Sequence, residues 1–166
     1  KLSPLDKILV PIEKVDNSFI IDKTKKLKKE IIKCQIDGRE LVLKTEYDMW
    51  KYLKGSKKEL RENKASNFTY KYAEGKMIFP DETNKPSRTI ITGEGGSSPS
   101  RFKHVIKQGD TERRLTPVEL ERLNMFPDDH TKLEGVTYAK RAFFMGNALV
   151  VGVIEKIGKK LYDHIK

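Results

Sequence analysis

The 166-residue chain holds a single cysteine, Cys34, and three widely separated histidines, His104, His130 and His164. One cysteine excludes an internal disulfide framework and any multi-cysteine zinc site. No two histidines stand at the i, i+3 or i+4 spacing that places two ligands on one helix face, so the sequence points to no metal centre. No apolar run nears the ~20 residues that span a bilayer, and Lys1-Leu2-Ser3-Pro4-Leu5-Asp6 lacks the pattern of a secretion signal. The expected compartment is the cytoplasm. Internal repeats and low-complexity tracts are absent, and so is a dinucleotide fingerprint. In Gly93-Glu94-Gly95-Gly96-Ser97-Ser98 the third glycine's place is taken by Ser98, and Lys85 is not placed as a phosphate-loop lysine.

What remains is a hydrophobic content of 37% beside a charged content of 35%, the composition of a folded, well-solvated protein. A chain of this length buries roughly two-thirds of the surface its unfolded form exposes, enough for a core without staples. The net charge is +10 and uneven: residues 1–80 hold 19 Lys/Arg against 12 Asp/Glu, residues 81–166 hold 15 against 12. A basic surface attracts phosphate backbones by releasing their counterions, which makes nucleic acid the leading partner class. A lysine-rich solvated helix face gives a similar count, so charge alone does not decide.

Residues 1 to about 22 contain Pro4 and Pro11 and alternate short apolar groups with charges, the pattern of an extended arm or edge strand leading to Phe19-Ile20-Ile21. Lys23 to Lys33 reads as a helix, with Leu27 and Ile31 one turn apart among lysines. Asp37-Gly38 between Cys34-Gln35-Ile36 and Leu41-Val42-Leu43 is also a hairpin signal, so a strand pair is the rival reading. From Tyr47 to Tyr72, aromatic residues interleave with Lys51, Lys54, Lys57, Lys58, Arg61, Lys64 and Lys71. That suits a surface meeting phosphates with charge and bases with flat rings, or equally a small core whose lysines keep it soluble. A loop over residues 75–86 precedes an expected short strand, Ser87-Arg88-Thr89-Ile90-Ile91-Thr92. The glycine-rich segment after it permits close backbone approach to a base edge or phosphate, or serves as a plain connection.

Arg114 to Phe126 carries a complete helix start: Thr116 as N-cap, Pro117 at the first helical position, Glu119 at the third, and Leu115 placed to pack on Leu120. Leu120 and Leu123 form its buried stripe, with Phe126-Pro127 as the stop. Further on, Gly146-Asn147 punctuates the chain, and Asn147 is placed to cap a helix in which Val150, Val153, Ile154, Ile157 and Leu161 recur at helical spacing. That apolar face needs a partner surface, in this chain or in a neighbouring domain.

The stretch Arg113-Arg114-Leu115-Thr116-Pro117-Val118-Glu119-Leu120-Glu121-Arg122-Leu123-Asn124-Met125-Phe126-Pro127-Asp128-Asp129 resembles the ninth motif of the DNA cytosine-5 methyltransferases. Ala142-Phe143-Phe144-Met145-Gly146-Asn147-Ala148-Leu149-Val150-Val151 resembles the tenth, in the right order and spacing. Upstream, residues 86–96 resemble the end of that family's variable target recognition region. The resemblance covers residues 86–161 well and 1–85 by position only. It implies an α+β fold: a small β-rich recognition region over 1–112, a ninth-motif helix and loop over 113–137, and a tenth-motif segment over 138–166. The last helix would pack on an α/β catalytic domain not contained here.

It also implies roles. Arg114, Thr116, Glu119, Arg122, Phe126 and Pro127 would support the recognition region, while Asn147, Ala148 and Leu149 would help wall the S-adenosylmethionine site. Double-stranded DNA would meet Arg88, Thr92, Gly93, Glu94, Gly95, Gly96, Ser97, Ser98, Arg101 and Lys103. The family flips a cytosine from the duplex, attacks it with a cysteine thiolate and methylates the ring carbon. No catalytic residue is assigned here, because the family's Pro-Cys turn, acid motif and Phe-x-Gly-x-Gly loop have no match. Cys34 follows Lys33 and reads as a packing cysteine, and Glu62-Asn63 continues as Lys64. The chain is therefore expected to be the C-terminal piece of a longer enzyme, or the recognition subunit of a split one, inactive alone. The rival readings are an interaction module that docks on a separate catalytic subunit, a basic DNA-binding module unrelated to methyl transfer, and a free-standing enzyme using Cys34.

Overall fold

The structure, a computed structural model, describes residues 3–63 and 65–165. In chain order its regular elements are β1 (Lys26–Cys34), β2 (Glu40–Thr45), α1 (Glu46–Lys54), β3 (Lys57–Asn63), β4 (Phe68–Glu74), β5 (Val105–Gln108), β6 (Thr111–Arg114), α2 (Pro117–Leu123), α3 (Tyr138–Asn147) and α4 (Val151–Ile165). Short 3-10 turns lie at Leu5–Ile8, Ile12–Lys14, Asn17–Phe19 and Thr92–Glu94. The fold is α+β, as expected, and its strands form three separate antiparallel pairs. Two compact units divide the chain: Ile21–Phe79 with Ser98–Arg101, and Lys1–Ile20 with Pro80–Ser97 and Phe102–Lys166. Each is discontinuous in sequence, whereas the expectation was three consecutive blocks.

In the smaller unit the helix expected over Lys23–Lys33 does not form. The rival strand pair does, with Ile31 opposite Leu43 and Cys34 opposite Glu40 across the Asp37-Gly38 turn, where Gly38 takes φ +81°. The β-branched Ile31-Ile32 pair and the turn outweigh a single helical spacing, because strand preference is settled by the partner strand. Cys34 is exposed, not packed inside. α1 opens with a capping box between Thr45 and Asp48 and buries Trp50 and Tyr52 beside Leu43. The Tyr52 hydroxyl donates to Glu59 on β3. β3 and β4 pair in unbroken register from Lys57 and Glu74 to Asn63 and Phe68. The aromatic residues of this region thus serve both readings: Trp50 and Tyr52 are core, whereas Phe68 and Tyr70 are exposed.

In the larger unit, Leu5, Ile106, Leu115, Leu120, Ala142 and Met145 form the core. The N-terminal arm is a series of 3-10 turns, not an edge strand. It is pinned where Leu5 N and Asp6 N donate to the carbonyls of Lys85 and Thr83, and Ile20 bridges to Arg113 beside β6. α2 begins as its sequence dictates: Thr116 Oγ1 accepts from Glu119 N at 3.3 Å and Glu119 Oε2 from Thr116 N at 2.7 Å. It ends earlier than Phe126-Pro127. Asn124 caps it, Met125 takes φ +62°, and Met125 N and Phe126 N donate back to the carbonyls of Arg122 and Glu121. This is a Schellman ending with methionine where glycine is usual. The strand expected over Ser87–Thr92 is absent, since Ser87 and Arg88 spend their side chains on His104, Asp81 and nearby carbonyls and the chain stays irregular. Asn147 does not cap α4. It is the last residue of α3, its Nδ2 donating to Phe143 O at 2.9 Å, and α4 starts four residues later.

Candidate nucleic-acid interface

The segment Thr92–Ser97 in the larger unit is held from beneath. Glu94 is buried, and its Oε1 accepts the backbone amide of buried His104 at 2.6 Å, with His104 Nδ1 3.1 Å away. The other face of the His104 ring meets Ser87 Oγ through Nε2 at 3.0 Å. The Gly96 carbonyl accepts from Arg114 Nη1 at 2.6 Å and from Lys103 Nζ at 3.2 Å. Arg114 also donates to Ser18 O. Burial, together with the neighbouring Arg114 charge, pulls the Lys103 ammonium below the ordinary lysine value, and burial likewise lowers Arg114.

Two glycines let α3 approach this segment. A Cβ on Gly95 would lie 2.7 Å from Ala139 Cα, and one on Gly146 would lie 2.5 Å from the Ile91 carbonyl carbon and from Thr92 Cα. Neither position tolerates a side chain while the backbones stay where they are. A hollow of about 190 Å³ beside the segment is lined by Phe19, Glu94, Gly95, Arg114, Tyr138 and Ala142, among others.

The expected DNA-facing residues therefore separate. Thr92, Gly93, Gly96, Ser97 and Ser98 are exposed. Glu94 and Lys103 are buried and act as props, which their sequence context of glycines and basic residues gave no reason to expect. Arg88 is half-buried and grips Asp81 through Nε and Nη2 at 2.7 and 3.0 Å, while its Nη1 donates to Phe102 O. Burial raises the Asp81 carboxyl, but Arg88 and the Val105 amide outweigh it and the group sits below its ordinary value. Arg101, in the smaller unit, donates to Leu53 O and Gly75 O and pairs with Glu74. His104, Ser87 and Asp81 were missed in the sequence; they carry no spacing that marks them, and only the fold joins them.

On the far side of the same unit, Arg141 on α3 reaches Glu121 at 2.8 Å and Asp129 at 3.0 Å, and Thr131 donates to Glu121. Asn124 Nδ2 donates to Met145 O at 2.8 Å and Asn124 O accepts from Val151 N at 3.0 Å, tying the ends of α2, α3 and α4 together. Asn147 and Leu149 lie exposed at the α3–α4 junction, with Ala148 half-buried between them. α4 exposes Val153, Ile154, Ile157 and Leu161, and no helix is long and apolar enough to cross a membrane among the described residues.

Comparison with known proteins follows the same residues. The chain is 41% identical over 132 residues to the Type II methyltransferase M.Sau3AI of Staphylococcus aureus, a match covering 80% of this chain and 31% of the relative. The chain thus spans about a third of the length of the relative it matches. No solved structure matches it. The family described as C-5 cytosine-specific DNA methylase matches residues 7–163, which takes in both compact units. The helix with its capping box, the α3–α4 junction and the propped segment between them are accordingly family features, and the chain belongs to the C-5 cytosine-specific DNA methylase family.

Proposed function

We propose that this chain is the target recognition portion of a DNA cytosine-5 methyltransferase, binding duplex DNA in a sequence-dependent way and inactive by itself. The observation that carries the reading is the Thr92–Ser97 segment, whose exposed Thr92, Gly93, Gly96 and Ser97 stand on buried Glu94, Lys103 and Arg114. A preformed backbone surface of this kind meets a phosphate or base edge without an ordering cost at the moment of binding. Arg88 and Lys103 then act by setting the segment, and the net charge of +10 supplies the attraction to phosphate.

Asn147, Ala148 and Leu149 are proposed as one wall of the S-adenosylmethionine site. They fit that part: Asn147 offers its side-chain oxygen and Leu149 an exposed apolar surface, suited to the edge of a nucleoside-bearing ligand. The cofactor supplies the methyl group when bound by the complete enzyme. Titrating short duplexes with this chain at low salt tests recognition, and absence of binding there would overturn it. A second reading, docking on a catalytic domain or subunit, is favoured by the exposed apolar side of α4. Mixing this chain with the catalytic part of a relative and measuring methyl transfer checks both: restored transfer supports a split or truncated enzyme. Transfer by this chain alone, abolished by Cys34→Ala, would overturn the claim of inactivity.

A further inference from the structure

The chain has eight arginines, and the fold uses the terminal nitrogens of most of them internally. Arg88, Arg101, Arg113, Arg114 and Arg122 each donate through both Nη1 and Nη2 to carbonyls or carboxylates. Arg141 is buried among Glu121, Asp129 and Thr131. Arg61 is bound to Glu59 and lies 3.4 Å from the centre of the Tyr72 ring. Arg39 differs, with a side chain 82% exposed at the tip of the β1–β2 hairpin.

Its guanidinium is nevertheless not adrift. Asp37 Oδ2 accepts from Arg39 Nε at 2.8 Å and lies 2.6 Å from Nη2, while Asp37 Oδ1 accepts the Arg39 amide at 3.2 Å. The Nε edge is thereby occupied, and Nη1 has no hydrogen-bond partner among the described residues. A pair this exposed contributes little to folding, so its effect is to aim the side chain. The tip is itself braced: Gly38 N donates to Gln35 O, Ile36 N donates to Lys58 O at 2.9 Å, and Gln35 bridges to Glu59 on β3. Beside it lies an open hollow of about 810 Å³ lined by Gln35, Arg39, Lys57 and Lys58 among others.

A guanidinium held along its Nε edge presents Nη1 and the outer Nη2 hydrogen side by side, the two-donor face that matches O6 and N7 of guanine in the major groove. That groove is about 12 Å wide and admits a two-stranded ribbon. We propose that Arg39, oriented by Asp37, reads a guanine in the duplex that this chain recognises. The inference rests on the recognition role above and adds the base read and the residue that reads it.

Selection from a random duplex library with the unaltered chain and with Arg39→Ala and Arg39→Lys tests it. The unaltered chain should enrich a motif with an obligatory guanine, and both variants should lose preference at that position on the order of 10- to 100-fold while keeping the others. Replacing that guanine by 7-deazaguanine, which lacks N7, should cost the unaltered chain affinity and leave the variants indifferent. Variants that enrich the same motif unchanged would overturn the inference. So would an Arg39→Ala chain that weakens equally on all sequences with a shallower salt dependence, the signature of a phosphate contact. If the unaltered chain enriches nothing, the recognition role falls and this inference with it. Unchanged circular dichroism of the variants confirms that the fold is intact.

Discussion

Arg113 and Glu119 face each other with no exposed side-chain surface on either, Nη1 and Nη2 donating to the two carboxylate oxygens at 2.9 and 2.6 Å. Glu119 also accepts the amides of Val10 at 2.8 Å and Thr116 at 2.7 Å, so one carboxylate ties the N-terminal arm, β6 and the start of α2. A buried ion pair gains little over apolar packing, but removing one partner strands the other charge. Glu119→Gln should therefore destabilise the larger unit by about 3–5 kcal/mol, read as a lower urea midpoint at pH 7.

Acid sensitivity should trace to Glu121. Burial raises its carboxyl, but Thr131 and Arg141 outweigh this and hold it below its ordinary value of 4.5. A carboxyl lowered in the folded state stabilises fully above that ordinary value, and the contribution is lost as pH falls through the lower folded one. Urea midpoints measured from pH 7 down to pH 3 should drop below about pH 4.5. In Glu121→Gln this part of the acid limb should flatten, from a lower starting stability.

Gly146→Ala should disturb the seat of α3. The added methyl lies 2.5 Å from the Ile91 and Thr92 backbone, and relieving that overlap should cost about 1–3 kcal/mol. Thermal unfolding checks this. Gly158→Ala, whose methyl meets nothing within 4 Å, should be neutral or mildly stabilising and serves as the control.

Arg88→Ala should weaken duplex binding without changing how steeply affinity falls with salt. Its guanidinium is committed to Asp81 and to the carbonyls of Phe102 and Lys103, so it acts through the Thr92–Ser97 segment and not through a phosphate. Lys58→Ala, on an exposed lysine beside the Arg39 hollow, should reduce that steepness by about one counterion. Titrations at three salt concentrations separate the two.

Legibility in the sequence followed how local the determinants are. The start of α2 was legible because Thr116, Pro117, Glu119 and Leu120 settle it within five residues, and all its bonds form as their types require. The hairpin at Asp37-Gly38 was legible only as an alternative, since choosing between Ile31 on a helix and Ile31 opposite Leu43 needs the partner strand. The end of α2 was misplaced because Met125 adopts a left-handed conformation that side chains other than glycine or asparagine seldom take. At the candidate interface, exposed Thr92, Gly93 and Ser97 could be named from a glycine-rich run. The inward roles of Glu94, Lys103 and Arg88 could not, because their partners His104, Gly96 and Asp81 meet them only through tertiary packing.

The contact of Gly146 with the backbone of Ile91 and Thr92 leaves no side chain between the two segments to act as a cushion. Bare backbone against bare backbone transmits displacement without slack. A shift at the α3–α4 junction must therefore carry the Thr92 turn with it, and the two ends of this short span report on each other as parts of a single rigid lever.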